Sequence, residues 1–190
     1  MEGDEDRVVL AAIFRKTDPL ATALKNGRLA IDVLSGAGNL SHRVRLHADN
    51  ICKVHAFLDD DESGRTAFGA ARRAGLLTNA STNLTIVGGK NEAELEDLYA
   101  ESVYTDILQH EIGLALAANG GDVKKKWSDR VRNLLRRAGK PHTELDVIVI
   151  KLKVALKAAE LGYDCLHPSK TGPIDSLISA LTLSVCPGSA

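Results

Sequence analysis

Aromatic residues make up only 4% of the 190 residues, too few for the stacking platforms on which single-strand binders lay bases. The three cysteines, Cys52, Cys165 and Cys186, are odd in number and widely spaced. No Cys-x-x-Cys pair occurs, which excludes a zinc ribbon and suits a reducing compartment. Neither sign of charge prevails: 24 Lys and Arg stand against 25 Asp and Glu, for a net charge of −1. A polyanionic partner must therefore be met by a local patch. No apolar run approaches the ~20 residues that cross a bilayer. The first residues are acidic rather than basic-then-apolar, so no signal peptide is expected. These absences predict a cytoplasmic protein with no membrane partner. A Gly-x-x-x-x-Gly-Lys-Ser/Thr motif is also missing, so the chain is not itself a P-loop ATPase.

What is present is ordinary for a soluble globular chain: 44% hydrophobic and 26% charged residues. The length suits one domain, or one domain with an extension. There are no internal repeats, no low-complexity segments and no linker long enough to separate independent units.

The most informative stretch is 53–65. An apolar run of strand type, residues 53–58, stops in Asp59, Asp60 and Asp61, followed by Glu62-Ser63-Gly64-Arg65. Residues 66–77 then read as a helix. At the carboxyl end of a strand in a parallel sheet, side chains project into the crevice where ligands bind. Asp59 and Asp61, two apart, can turn toward one point. Two adjacent carboxylates without a cation would leave one protonated, whereas Mg²⁺ or a similar hard ion takes oxygen ligands readily. The plainer alternative is an acidic turn capping a helix.

Upstream, Glu2-Gly3 precedes a helix over residues 7–15 with Val9, Leu10, Ile13 and Phe14 on one face. Asp4, Glu5 and Asp6 sit at its start, where the helix dipole favours carboxylates. Glu2 at the tip of a first strand would face the same crevice as Asp59 and Asp61. That first strand is expected to be truncated, because the chain opens at its carboxyl end. Residues 29–34 read as a strand and 40–50 as a helix. The loop between them, Ser35-Gly36-Ala37-Gly38-Asn39, does not match Gly-x-Gly-x-x-Gly, which argues against dinucleotide binding. Residues 84–89 read as a further strand. Strands alternating with helices predict parallel βαβ units, hence an α/β sheet of about four strands flanked by helices.

Residues 91–97 carry four acids in seven positions. They read as a helix start with Leu95, Leu98 and Tyr99 on its buried side and Glu94 and Asp97 as neighbours on another. From residue 104 the pattern turns helical, which divides the chain into 1–103 and a helical extension, 104–190. Residues 107–118 read as a helix closed by Asn119-Gly120-Gly121. Residues 124–140 hold Lys124, Lys125, Lys126, Arg130, Arg132, Arg136, Arg137 and Lys140 against the single acid Asp129. Trp127, Val131, Leu134 and Leu135 form the core face of that helix. Its basic side is either a solvated face or a patch for a phosphate backbone. Residues 144–161 form an apolar helix interrupted by Lys151 and Lys153, lysines that either snorkel to water or reach a phosphoryl group. Residues 173–183 are a last helix, and 186–190 a frayed tail.

Taken together, Glu2-Gly3 with Asp6, and Asp59-Asp60-Asp61-Glu62-Ser63-Gly64, resemble the Glu-Gly and Asp-x-Asp-x-x-Gly pattern of the Toprim domain, over about residues 1–100. Within that group the chain looks most like the nuclease domain of the overcoming-lysogenization-defect (OLD) family. The finer likeness lies in residues 2–7, in 58–65, in Glu94-Leu95-Glu96-Asp97-Leu98, and in Lys151 as the lysine of the helical part. The resemblance implies Mg²⁺- or Mn²⁺-dependent hydrolysis of phosphodiester bonds, in DNA before RNA. It implies Glu2, Asp6, Asp59, Asp61 and Glu96 as metal ligands for one or two ions, with Glu94 and Asp97 as second choices. Glu2, Asp59, Asp61 and Lys151 would be the catalytic set, with Lys124, Lys125, Lys126, Arg130, Arg136 and Arg137 on the nucleic acid. The implied partners are an ABC-type ATPase, as a separate subunit or a missing N-terminal domain, and a second copy in a homodimer; phage defence is the family's setting. Two readings compete: a non-catalytic Toprim partner of an ATPase, and a small Toprim ribonuclease of the type that matures 5S ribosomal RNA.

Overall fold

The computed structural model describes residues 1–50, 52–116, 123–139 and 143–186. Its helices are α1 (Asp4–Arg15), α2 (Leu20–Lys25), α3 (Leu40–Asp49), α4 (Glu62–Arg73), α5 (Thr105–Ile112), α6 (Trp127–Arg137), α7 (Glu144–Leu161) and α8 (Gly172–Val185). Two strands, β1 (Ala56–Leu58) and β2 (Thr82–Leu84), pair in parallel with Ala56 opposite Thr82, Phe57 opposite Asn83 and Leu58 opposite Leu84. With α4 between them they form the expected β-α-β unit. The protein is therefore α/β, a small parallel sheet flanked by helices.

Side chains alternate across a strand, and β1 uses both faces. Ala56 and Leu58 enter a small cluster with Leu34, Leu40, Val44, Ala71 and Leu77, under α3 and α4. Phe57 enters the main core, which joins Val9, Leu10, Ile13 and Phe14 of α1 to Val147, Ile150, Val154, Ala155 and Ala158 of α7. The predicted apolar faces of α1 and α6 are buried, with Trp127 and Val131 at 0% exposure. This core runs without a break from residues of 1–103 into those of 104–190.

The sheet is smaller than the sequence pattern predicts. Residues 29–34 form no strand among the described residues, although Met1 donates to the Asp32 carbonyl at 3.3 Å and accepts from the Leu34 amide at 2.8 Å. That is the bonding of a single parallel contact. Apolar 29–31 instead packs Leu29 and Ile31 against the main core. The second strand lies at 82–84 rather than 84–89: the Thr85 amide makes the last ladder bond, to the Leu58 carbonyl at 3.0 Å, and the Ile86 amide then turns back onto the Leu84 carbonyl at 2.9 Å. α4 begins at Glu62 and ends at Arg73, four residues earlier at each end than the apolar pattern predicts. Residues 91–99 are not a helix start but a short 3-10 turn, Leu95–Leu98. α5 stops at Ile112, where Gly113 takes φ 82° and ends the helix. The predicted Asn119-Gly120-Gly121 stop, Lys140 and the end of the tail, 187–190, lie outside the described residues. Among those described, no helix is long and apolar enough to cross a membrane.

Candidate functional site

Four chain segments meet at the carboxyl end of β1. The first is 1–6, where Glu2 Oε1 accepts from the Asp59 amide at 3.3 Å and Asp6 caps the Gly3 amide at 3.0 Å. The second is 59–65. Asp61 caps α4, its Oδ1 accepting from the Gly64 amide at 2.8 Å. Gly64 is needed at that turn: a Cβ there would collide with the Asp59 carbonyl and stand 3.2 Å from Glu2 Oε1. The third is 90–97, stitched to the second by a two-bond antiparallel bridge, Asp60 amide to Ala93 carbonyl at 2.9 Å and the reverse at 3.0 Å. Arg65 reinforces it, bonding Asp60 Oδ1 and the Asn91 carbonyl at 2.6 Å each. The fourth is α7, whose Lys151 enters from the side.

Lys151 Nζ stands 3.3 Å from Glu96 Oε1, 3.4 Å from Glu94 Oε2 and 3.7 Å from Glu5 Oε1. Burial alone would push its pKa down, but Glu96, Glu94, Asp6 and Asp59 outweigh that and hold it well above the ordinary lysine value. The carboxylates show the opposite strain. Burial, with Asp6 and Glu94 adding repulsion, pushes Asp59 well above the ordinary range. Burial lifts Asp6 despite Lys151, and burial with the Asp61 charge lifts Glu2. Glu96, only 1% exposed, is pushed up to about 8 by burial, with Lys151 opposing and Glu94 reinforcing. Its Oε2 is buried and has no hydrogen-bond partner among the described residues.

Asp61 differs. Burial pushes it up, but the Gly64 amide and Lys126 prevail, and its pKa lies below the ordinary value. Lys126 Nζ sits 2.6 Å from Asp61 Oδ2, so both oxygens of Asp61 are engaged. Among the described residues no three acids, histidines or cysteines stand in ready ligand geometry; the cations in the cluster are Lys126 and Lys151.

The sequence-predicted site thus splits. Glu2, Asp6, Asp59, Asp61, Glu94, Glu96 and Lys151 converge. Asp97 is nearby but serves the scaffold, accepting from the Glu94 amide at 3.1 Å and the Trp127 amide at 3.0 Å. Glu94 is divided between Lys151 and the start of α6, where it accepts from the Ser128 amide. Carboxylates at the first amides of a helix are electrostatically favoured. Of the basic set, Lys126 lies in the cluster and Arg130 leans on the Tyr104 hydroxyl, whereas Lys124, Lys125, Arg136 and Arg137 are exposed.

Two residues were not anticipated. Glu5 reads as helix-dipole charge, and nothing in its spacing points to Lys151. Lys90 follows Gly88-Gly89 and looks like a loop lysine. Its ammonium is in fact buried, 2.9 Å from Asp97 Oδ1, 2.9 Å from the Val123 carbonyl and 2.5 Å from the Lys125 carbonyl. Lys90 thereby fixes the segment that delivers Lys126.

Chemically, this is a buried, oxygen-rich acid cluster at a strand end, balanced in part by two lysines and opening beside Asp61, Glu62, Ser63, Thr66, Glu92 and Lys126 into a cleft of about 650 Å³. Comparisons with family models, with curated proteins and with solved structures returned no match for this chain.

Proposed function

We propose that the chain is a metal-dependent phosphodiesterase of Toprim type, closest in plan to the OLD nucleases and acting on DNA before RNA. One observation carries the reading: six carboxylates remote in sequence, Glu2, Asp6, Asp59, Asp61, Glu94 and Glu96, are gathered with Lys151 at the carboxyl end of one strand. An all-oxygen donor set suits Mg²⁺ or Mn²⁺, and the orphaned Oε2 of Glu96 is a buried acceptor awaiting a cation. Glu2, Asp6, Asp59, Asp61 and Glu96 are the residues that would hold one or two such ions. When bound, the metal would supply Lewis-acid activation of water and of the phosphoryl oxygens.

The protein's own residues account for the rest. Lys151, already held in place by Glu94 and Glu96, adds a fixed positive charge where negative charge grows on the phosphoryl group, an electrostatic role that needs little reorganisation. Asp59 and Asp61 fix where an ion would be held relative to β1, and Gly64 lets α4 begin close against Asp59. The exposed Lys124, Lys125, Arg136 and Arg137 hold the phosphate backbone without reading sequence. An ABC-type ATPase, covalently joined or separate, is the partner this plan calls for, and a cytoplasmic location follows from it.

A second reading, a non-cutting Toprim-like partner subunit, draws on Lys126 and Lys151, which already balance part of the acid cluster. Nicking of supercoiled plasmid with Mg²⁺ or Mn²⁺ separates the two. The expected result is metal-dependent nicking, blocked by EDTA and abolished by Asp59→Ala/Asp61→Ala in a protein that keeps its circular dichroism. Nicking that persists in the double variant would reject the proposed site. A folded wild type that binds DNA without cutting would favour the second reading.

A further inference from the structure

α7 is apolar on both sides. Its inner side, Val147, Ile150, Val154, Ala155 and Ala158, is in the core. Its outer side carries Leu145, Ile148, Val149, Leu152 and Leu156, exposed by 66, 55, 41, 46 and 52%. At 3.6 residues per turn these five fall within an arc of about 100° and a length of about 16 Å. Single exposed leucines are ordinary, but a contiguous apolar stripe of a few hundred Å² marks an interface. A helix apolar all round is one that is covered on every side.

We propose that this stripe is covered by the same stripe of a second copy, in an antiparallel α7–α7 pair on a two-fold axis at Leu152. The pattern is self-complementary about that position. Ile148 comes level with Leu156 of the other copy and Leu145 with Ala159, so large residues meet large or small ones. An isologous interface requires this kind of self-match.

The flanks agree. Asp146, which caps Thr143, and Lys157, which sits 3.0 Å from Glu160, lie on the same edge of the stripe, and the two-fold brings Asp146 of one copy within one residue of the level of Lys157 in the other, twice per dimer, adding opposite charge to each of these local pairs. Lys153, close to the axis, carries its own counter-charge, Glu111 at 2.6 Å. The stripe forms the dry centre and these charges the rim, the usual anatomy of a protein interface. Lys151 lies roughly a third of a turn around α7, toward the acid cluster, so pairing leaves the candidate site open. The proposal does not depend on the catalytic reading.

The test is sedimentation velocity of the full chain over a concentration series, with Leu152→Glu alongside. The expected wild-type species has twice the 20.3 kDa chain mass. Leu152→Glu places two like charges on the axis and should raise the dimer dissociation constant at least about tenfold, with circular dichroism unchanged because position 152 is exposed. Separately, Leu152→Cys in a Cys52→Ser/Cys186→Ser background should crosslink to a covalent dimer on mild oxidation, whereas Leu183→Cys, on the exposed side of α8, should not. A wild type monomeric throughout the series overturns the proposal and assigns the stripe to a different chain. A dimer that survives Leu152→Glu, or open-ended polymers, overturns it as well.

Discussion

Glu96 illustrates how one side chain couples stability, pH and ligand affinity. Its carboxyl is buried and its pKa is raised from 4.5 to about 8. Between those two values the folded state keeps a proton that the unfolded chain has released, so stability contributed by this group falls as pH rises from about 4.5 through about 8. Glu96→Gln imitates the protonated form and removes that dependence. The metal-free variant should therefore gain Tm relative to wild type, slightly at pH 5 and most near pH 8, with the gap flat above that. Differential scanning calorimetry at several pH values reads this directly. A gap that shrinks with rising pH would mean that Glu96 is ionised in the native state from the start, held so by Lys151.

At the scale of elements, the start of α6 is the joint of the site. Asp97 and Glu94 take its first amides, while Lys90 clamps the preceding segment through the Val123 and Lys125 carbonyls. The Lys90–Asp97 pair is buried, with side-chain exposures of 7% and 0%. Breaking a buried pair from one side leaves an uncompensated charge and costs about 3–5 kcal/mol. Lys90→Met should lower Tm by about 10 °C or more for a chain of this size, with loss of Trp127 burial visible in its fluorescence.

Lys126, which this joint positions, occupies Asp61 Oδ2 at 2.6 Å. If Asp61 ligates a metal, the lysine must give way first. Lys126→Met should then tighten Mn²⁺ binding by about fivefold, corresponding to ~1 kcal/mol for a partly exposed pair. Titration calorimetry checks this without reference to activity, and unchanged or weaker binding would remove Asp61 from the ligand set.

For the whole molecule, the distribution of charge matters more than its sum. Net charge is −1, yet α6 runs from the acid cluster to Arg136 and Arg137 at its other end, about 14 Å along the axis. A nucleic acid held along this helix would contact phosphates at the far end while its scissile bond lies near Asp61. Arg136→Ala/Arg137→Ala should weaken DNA binding evenly across sequences. It should also reduce the slope of log K against log salt by about 2, one unit per lost phosphate contact. Fluorescence anisotropy at several salt concentrations measures it, and an unaltered slope would place the backbone elsewhere.

Much of this was legible in the linear chain, for identifiable reasons. The period of Val9, Leu10, Ile13 and Phe14, and that of Trp127, Val131, Leu134 and Leu135, determined which helix faces are buried, because helix geometry converts spacing into direction. Asp59 to Asp61 determined the strand end and the cap of α4, since each step there is local, whereas Ser63-Gly64, which reads as a turn, lies inside the first turn of that helix. Residues 29–34 mark where such reasoning failed: an apolar run has the same composition whether it pairs as a strand or packs as irregular chain. Non-local geometry decided the rest. The bridge between Asp60 and Ala93 brings Glu94 and Glu96 to Asp59. Packing of α7 on α1 sets Lys151 among acids more than 50 residues away in sequence. Burial, which no single position reveals, turns Glu96 into a weak acid and Lys90 into a buried clamp. Residue types and local order were determined by the sequence itself; which charges face one another, and therefore what the cluster can bind, was decided only when the chain closed on itself.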